Sequence, residues 1–228
     1  MILTTTRELA KVSGVKMLVY GKAGMGKTVL CSTAPNPLII SAESGLLSLA
    51  AYDLPVIEIA SIDDLTNCYN WIANSADANI YDTICLDSIS EISEVVLSKE
   101  KADNKDGRAA YGETIDKMNL IIRSFRDLTG KHVYFSAKEE YSTDDTTGKS
   151  MFCPTMTGKK LTQGLPYFFD EVFHMDMANN AEGQPFRYLR TQPDFNHVAK
   201  DRSNMLDEIE APDLSNIINK ILSGTKPA

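Results

Sequence analysis

Residues 21 to 28 read Gly-Lys-Ala-Gly-Met-Gly-Lys-Thr, the full spacing G-x-x-x-x-G-K-[ST], and the apolar run Val15-Lys-Met-Leu-Val-Tyr20 leads directly into it. Strand, glycine loop, helix is the order that turns a backbone into an anion cradle. Successive N–H groups must converge on one anion through a tight turn, which glycine permits, and a helix starting near Lys27 adds its positive end. The pattern predicts that Gly21, Lys22, Ala23, Gly24, Met25, Gly26, Lys27 and Thr28 wrap the phosphates of a nucleotide. Lys27 is expected on the β- and γ-phosphates as a point charge, and the Thr28 hydroxyl in one Mg²⁺ position.

The 228 residues suffice for one α/β domain spanning 1–228. Acids outnumber bases 31 to 23, so any contact with nucleic acid must be local, and nothing points to a membrane surface. Cys31, Cys68, Cys85 and Cys153 lack C-x-x-C spacing and read as reduced thiols of a cytoplasmic protein. Arg7, Glu8 and Lys11 interrupt the N-terminus where a signal peptide needs a sustained apolar stretch, and no run is long enough to span a bilayer.

Beyond the loop, elements alternate as an α/β fold requires. Pro37–Ser41, Pro55–Ile59, Thr83–Asp87 and His132–Ala137 read as strands, the third nearly all apolar, as expected when helices cover both faces. Ser61 opens an amphipathic helix with Leu65, Cys68, Tyr69 and Ile72 on one face, and Ile115, Met118, Ile122 and Phe125 have helical spacing. Residues 139–164 are polar and Gly/Thr-rich. Glu171–Met177 and Phe186–Thr191 flank Asn179–Gly183 as a hairpin, and a closing helix runs from about Leu214 to Leu222.

Two acids complete a nucleotide site. Asp87 ends an apolar strand and precedes Ser88, where a carboxylate would hold Mg²⁺ together with Thr28; the alternative is a cap on the helix beginning near Ile89. Glu43 follows the second strand, where a carboxylate would orient and deprotonate a water aimed at the γ-phosphate; the alternative is a solvated turn residue.

These features together resemble the RecA core, and more closely the compact RecA-like ATPases of tailed phages, a single-strand annealing group. The resemblance covers nearly the whole chain. Tyr20–Thr28, Tyr81–Ser88, Ala110–Glu113 leading to Phe125–Leu128, Pro154–Lys159 leading to Phe169–Val172, and Ala199–Arg202 carry it. It implies a RecA-like P-loop core with a mostly parallel central sheet, helices on both faces and a C-terminal β-hairpin. It also implies ATP and Mg²⁺ as cofactors, Glu43 as the general base, and Ser136 or Lys138 as a sensor. Lys200 and Arg202 would reach a neighbouring subunit's nucleotide in a ring or filament, or else form a surface pair around Asp201. Single-stranded DNA is the implied partner, with a single-strand-binding protein as a further one, in annealing or strand pairing during phage recombination.

Two segments are candidates to face that strand. The better is 141–160, with Lys149, Phe152, Lys159 and Lys160, because cations interleaved with aromatics suit phosphates and unstacked bases. The other, Lys99–Arg108, mixes its lysines with acids and reads equally as a solvated face. Two rival readings stay open. Lys22 matches the extra lysine of the ParA/MinD switch ATPases, whose relatives carry a longer helix after the loop; a small-molecule kinase would need an arginine-bearing lid, and residues 139–164 contain no arginine.

Overall fold

The computed structural model describes residues 3–43, 46–143 and 148–224. Helix α1 (Thr6–Ser13) is closed at its start by a capping box, Thr5 and Glu8 each bonding the other's backbone N–H. Strand β1 (Lys16–Tyr20) then enters the glycine loop. The helix after it, α2 (Lys27–Leu30), is one turn long and continues as a 3₁₀ turn, Cys31–Thr33. Pro35 and Pro37 follow at once and forbid further helix.

The chain continues through β2 (Pro37–Ser41), β3 (Val56–Glu58), α3 (Ile62–Asn74), β4 (Thr83–Asp87), α4 (Ile89–Asp103), α5 (Gly107–Arg126) and β5 (His132–Thr143). Then come β6 (Ser150–Thr155), α6 (Lys159–Gly164), β7 (Glu171–Asn179), β8 (Pro185–Arg190), β9 (Lys200–Asp201), β10 (Ile209–Glu210) and α7 (Leu214–Ser223). Among the described residues the sheet has ten strands, in the order β10-β8-β7-β1-β5-β4-β2-β3, with β6 on β5 and β9 on β7. The six strands from β7 to β3 are parallel, and β6, β8, β9 and β10 are antiparallel to their neighbours. This is the α/β P-loop core with a mostly parallel central sheet and a C-terminal hairpin, β7–β8.

Alternation sorts each strand onto two cores. Leu18, Tyr20, Leu38, Ile40, Ile84, Leu86, Val133 and Phe135 meet α3, α4 and α5 on one face. Met17, Val19, Ile39, Cys85, Tyr134, Phe173 and Met175 meet Leu30, Cys31 and α7 on the other. Cys31, Cys68 and Cys85 are buried and Cys153 half-buried, all four unpaired.

The polar, Gly/Thr-rich 139–164 segment carries regular structure, two strands and a short helix. Strand β5 runs on to Thr143, and β6 returns beside it in register from Lys138↔Thr155 to Thr143↔Ser150. Apart from Pro154 and the Glu139 carboxylate, the residues of the two paired stretches are half-buried or exposed, so no apolar face stamped an alternating pattern on the sequence.

Candidate functional site

The glycine loop leaves β1 at the C-terminal ends of the parallel strands. Gly21 has no room for a side chain, because a Cβ there would lie 2.4 Å from the carbonyl oxygen of Met175. Gly26 caps α2 at φ 105°, a conformation other residues rarely adopt. Lys27 Nζ donates to the carbonyls of Gly21 (2.7 Å) and Lys22 (2.9 Å), so the amine sits inside its own loop. Burial lowers its pKa, opposed by the charges of Asp87, Glu139 and Glu43.

Ser88, not Asp87, caps α4: its hydroxyl accepts from the backbone N–H of Glu91. That division of labour frees the buried Asp87 carboxylate for the site. Thr28 Oγ1 donates to Asp87 Oδ2 at 2.6 Å, and Ser136 Oγ donates to Asp87 Oδ1. One hydroxyl comes from the loop, the other from the central strand β5, and the carboxylate from β4 between β2 and β5. A carboxylate beside a hydroxyl is a hard oxygen set that fits Mg²⁺, which takes one or two protein ligands and completes its shell with phosphate oxygens and water. Among the described residues no group of three His, Cys, Asp or Glu side chains could hold a metal alone.

Glu43 lies two residues beyond β2, whose Ser41 stands opposite Asp87 in the parallel register. Ser41 Oγ accepts from the Glu43 N–H and donates to its carbonyl, both at 3.1 Å, fixing the turn, while Glu43 as a whole stays on the surface. Partial burial raises its pKa, helped by Asp87 and Glu91 and opposed by Lys138 and Lys27. Of these, Asp87 and Lys27 belong to the loop site and Glu91 and Lys138 to α4 and β5, and a carboxyl with a raised pKa is better suited to accept a proton.

Of the two sensor candidates, Ser136 touches Asp87, whereas Lys138 bridges Glu91 (2.7 Å) and Glu94 (2.8 Å) on α4. Lys22 is exposed, its amine 5.8 Å from the centre of the Phe152 ring. Phe152 itself is half-buried in a ring stack: Tyr141 at 4.9 Å, His197 at 5.3 Å, then His174 4.3 Å from His197. The ring therefore packs within its own chain, while Lys159 and Lys160 are exposed at the start of α6 and Lys149 precedes β6.

Lys200 and Arg202 lie at the opposite end of the sheet from the loop, beside the first residues of β7. Lys200 Nζ donates to the carbonyls of Pro166 (2.8 Å) and Phe169, and the exposed Arg202 pairs with Asp170 at 2.9 Å. They are remote from this chain's own loop.

A buried pair next to the loop escaped sequence reading. His174 Nε2 and Glu139 Oε2 are 2.6 Å apart, both side chains almost without exposure, and His174 pairs with Tyr20 across β1 and β7. Burial lowers the His174 pKa. A histidine inside the apolar run Glu171–Met177 was the available signal, but its partner lies 35 residues away.

The family profile described as an AAA domain matches residues 13–203, most of the chain and all of the site above. No match was found among curated proteins. No helix among the described residues is long and apolar enough to cross a membrane. With a complete phosphate loop joined by hydrogen bond to a buried strand-end aspartate, the chain belongs to the AAA-domain family of P-loop ATPases.

Proposed function

We propose that this chain is an ATP- and Mg²⁺-dependent RecA-like ATPase that binds single-stranded DNA and promotes annealing or strand pairing in phage recombination. The observation that carries the catalytic part is the buried Asp87 carboxylate, which joins the loop hydroxyl of Thr28 to Ser136 on β5. Gly21–Thr28 would cradle the phosphates of ATP, with Lys27 trading its carbonyl partners for phosphate oxygens. Mg²⁺, held by Thr28 and Asp87, would supply charge neutralisation at the β- and γ-phosphates. Glu43 would orient the attacking water and take its proton.

Strand binding rests on the resemblance and on two grooves that meet at Tyr167. One is lined by Lys149 and Lys200, the other by Lys160, Arg123, Arg126 and Phe168. Tyr167 is 83% exposed and lines both grooves, the second of which also holds Asp127, paired with Arg126. Strand β5 runs from Ser136 at the nucleotide site into the β5–β6 hairpin beside these grooves, so one strand links the two. For the switch-type reading the longer helix has no counterpart, since the loop's helical turns end at Thr33.

Because Arg202 faces away from its own loop, a role in phosphoryl transfer would require head-to-tail packing of copies, the geometry of a ring or filament. The test is ATP hydrolysis with and without single-stranded DNA, together with strand binding by the Lys159→Ala/Lys160→Ala double variant. The reading expects stimulation by DNA, weaker binding in the variant, and a salt dependence flattened by about two phosphate contacts. Turnover indifferent to DNA, with no strand binding at low salt, would leave an ATPase and remove the recombinase.

A further inference from the structure

The β7–β8 hairpin brings a cation to the phosphate loop. Its register pairs Met177 with Arg187 and Met175 with Leu189, so these four residues share one face of the sheet. On that face Met175 and Leu189 pack in the same core as Leu30 and Cys31, the residues that follow the loop. Side chains here reach toward α2, and two of them arrive at Gly26. A Cβ built on Gly26 would lie 3.5 Å from Met175 Cε and 3.7 Å from both Cδ and Nε of Arg187. Nε is part of the guanidinium, so the charged group itself stands beside Gly26.

Among the described residues Arg187 makes no ion pair, as is true of Arg108 and Arg123, whereas Arg126 pairs with Asp127, Arg190 with Asp194 and Glu208, and Arg202 with Asp170. What sets Arg187 apart is its place: it is exposed, and its side chain lies against Gly26 of the backbone anion cradle, where a bound anion would meet it. The sheet order makes the arrangement two-sided. Asp87 reaches the loop from the β5 side of β1, and Arg187 from the β7 side. A triphosphate between them would meet a metal-binding carboxylate on one flank and a guanidinium fork on the other.

We propose that Arg187 contacts the phosphates of the nucleotide bound in its own chain. This rests on the nucleotide-binding reading above and adds a cation acting in cis, distinct from Lys200 and Arg202 at the far end of the sheet. An arginine so placed is expected to strengthen nucleotide binding and to neutralise charge on the transferring group.

The experiment compares the full chain with Arg187→Lys and Arg187→Met, measuring Mg-ATP and Mg-ADP affinity, steady-state phosphate release and Tm. Methionine keeps an apolar stem against Gly26 and removes the charge. The expected result is a loss of at least about ten-fold in ATP affinity or kcat/KM for Arg187→Met at unchanged Tm, with partial recovery in Arg187→Lys. ATP affinity and turnover of Arg187→Met both within about two-fold of the parent would overturn the proposal and reduce Arg187 to packing. If the parent itself binds no ATP, the nucleotide reading fails and this inference falls with it, an outcome the parent measurement identifies on its own.

Discussion

At the C-terminal ends of the parallel strands, Thr28, Asp87 and Ser136 bond side chain to side chain, whereas at the N-terminal ends buried lysines drive their amines onto backbone carbonyls. Lys16 Nζ reaches Leu128 (2.9 Å) and Lys131 (2.8 Å), and Lys131 Nζ reaches Ala78 (3.0 Å). Each such lysine satisfies carbonyls of another part of the chain, at the cost of burying charge; burial lowers the Lys16 pKa to about 8. Lys27 uses the same chemistry with a different partner, the carbonyls of its own loop five and six residues away. A bond across the fold is structural because breaking it orphans buried carbonyls. Bonds within one loop, or between short hydroxyl and carboxylate side chains, can be exchanged for phosphate and metal without unfolding anything.

The sharpest way to break that contrast is to remove one lysine from each end. Lys27→Ala is expected to lower kcat/KM for ATP by about 10³-fold, the scale of losing a preorganised transition-state charge, with Tm nearly unchanged. Lys16→Met should do the reverse. Two buried carbonyls lose their donor, costing about 2–4 kcal/mol and lowering Tm by about 5–12 °C, while ATP affinity of the folded protein holds. Equal Tm losses in the two variants would erase the distinction.

An effect of similar size, confined to high pH, tests the N-terminal end further. Glu171 is buried at the start of β7 with Oε2 unpartnered, and burial, then the nearby Asp201, pushes its pKa up to about 8. The unfolded carboxyl ionises near 4.5, so between about pH 4.5 and 8 the unfolded chain releases a proton that the folded chain keeps, and stability falls as pH rises. Glu171→Gln should match the parent below pH 4.5 and exceed it by about 2–4 kcal/mol above pH 8, read from urea midpoints at the two pH values. Parallel profiles for parent and variant would show that Glu171 is ionised in the fold.

The two ends also differed in how much the sequence disclosed. Strand β4 is found as Thr83–Asp87, the bounds the apolar run predicted, and Asp87 stands where a strand-end carboxylate was expected, because glycine spacing and a strand terminus are local signals. The lysine caps at the other end were invisible: Lys16 reads as an interruption in an apolar run, and its carbonyl partners lie 112 and 115 residues on. The same distance problem hid Glu139–His174 and the approach of Arg187 to Gly26, both set by which strands become neighbours of β1. The helix after the loop proved shorter than a loop-helix motif suggests, for a reason that was in plain view, Pro35 and Pro37.

The central claim is that the C-terminal ends of the strands form an ATP-hydrolysing site in which Glu43 serves as base. The most direct measurement is Mg-ATP affinity and single-turnover hydrolysis by the parent and by Glu43→Gln. The account predicts binding within about two-fold and hydrolysis slower by about 10²-fold or more, since the amide keeps the shape but cannot take the proton. Hydrolysis at the parent's rate in Glu43→Gln, or loss of binding along with turnover, would contradict it.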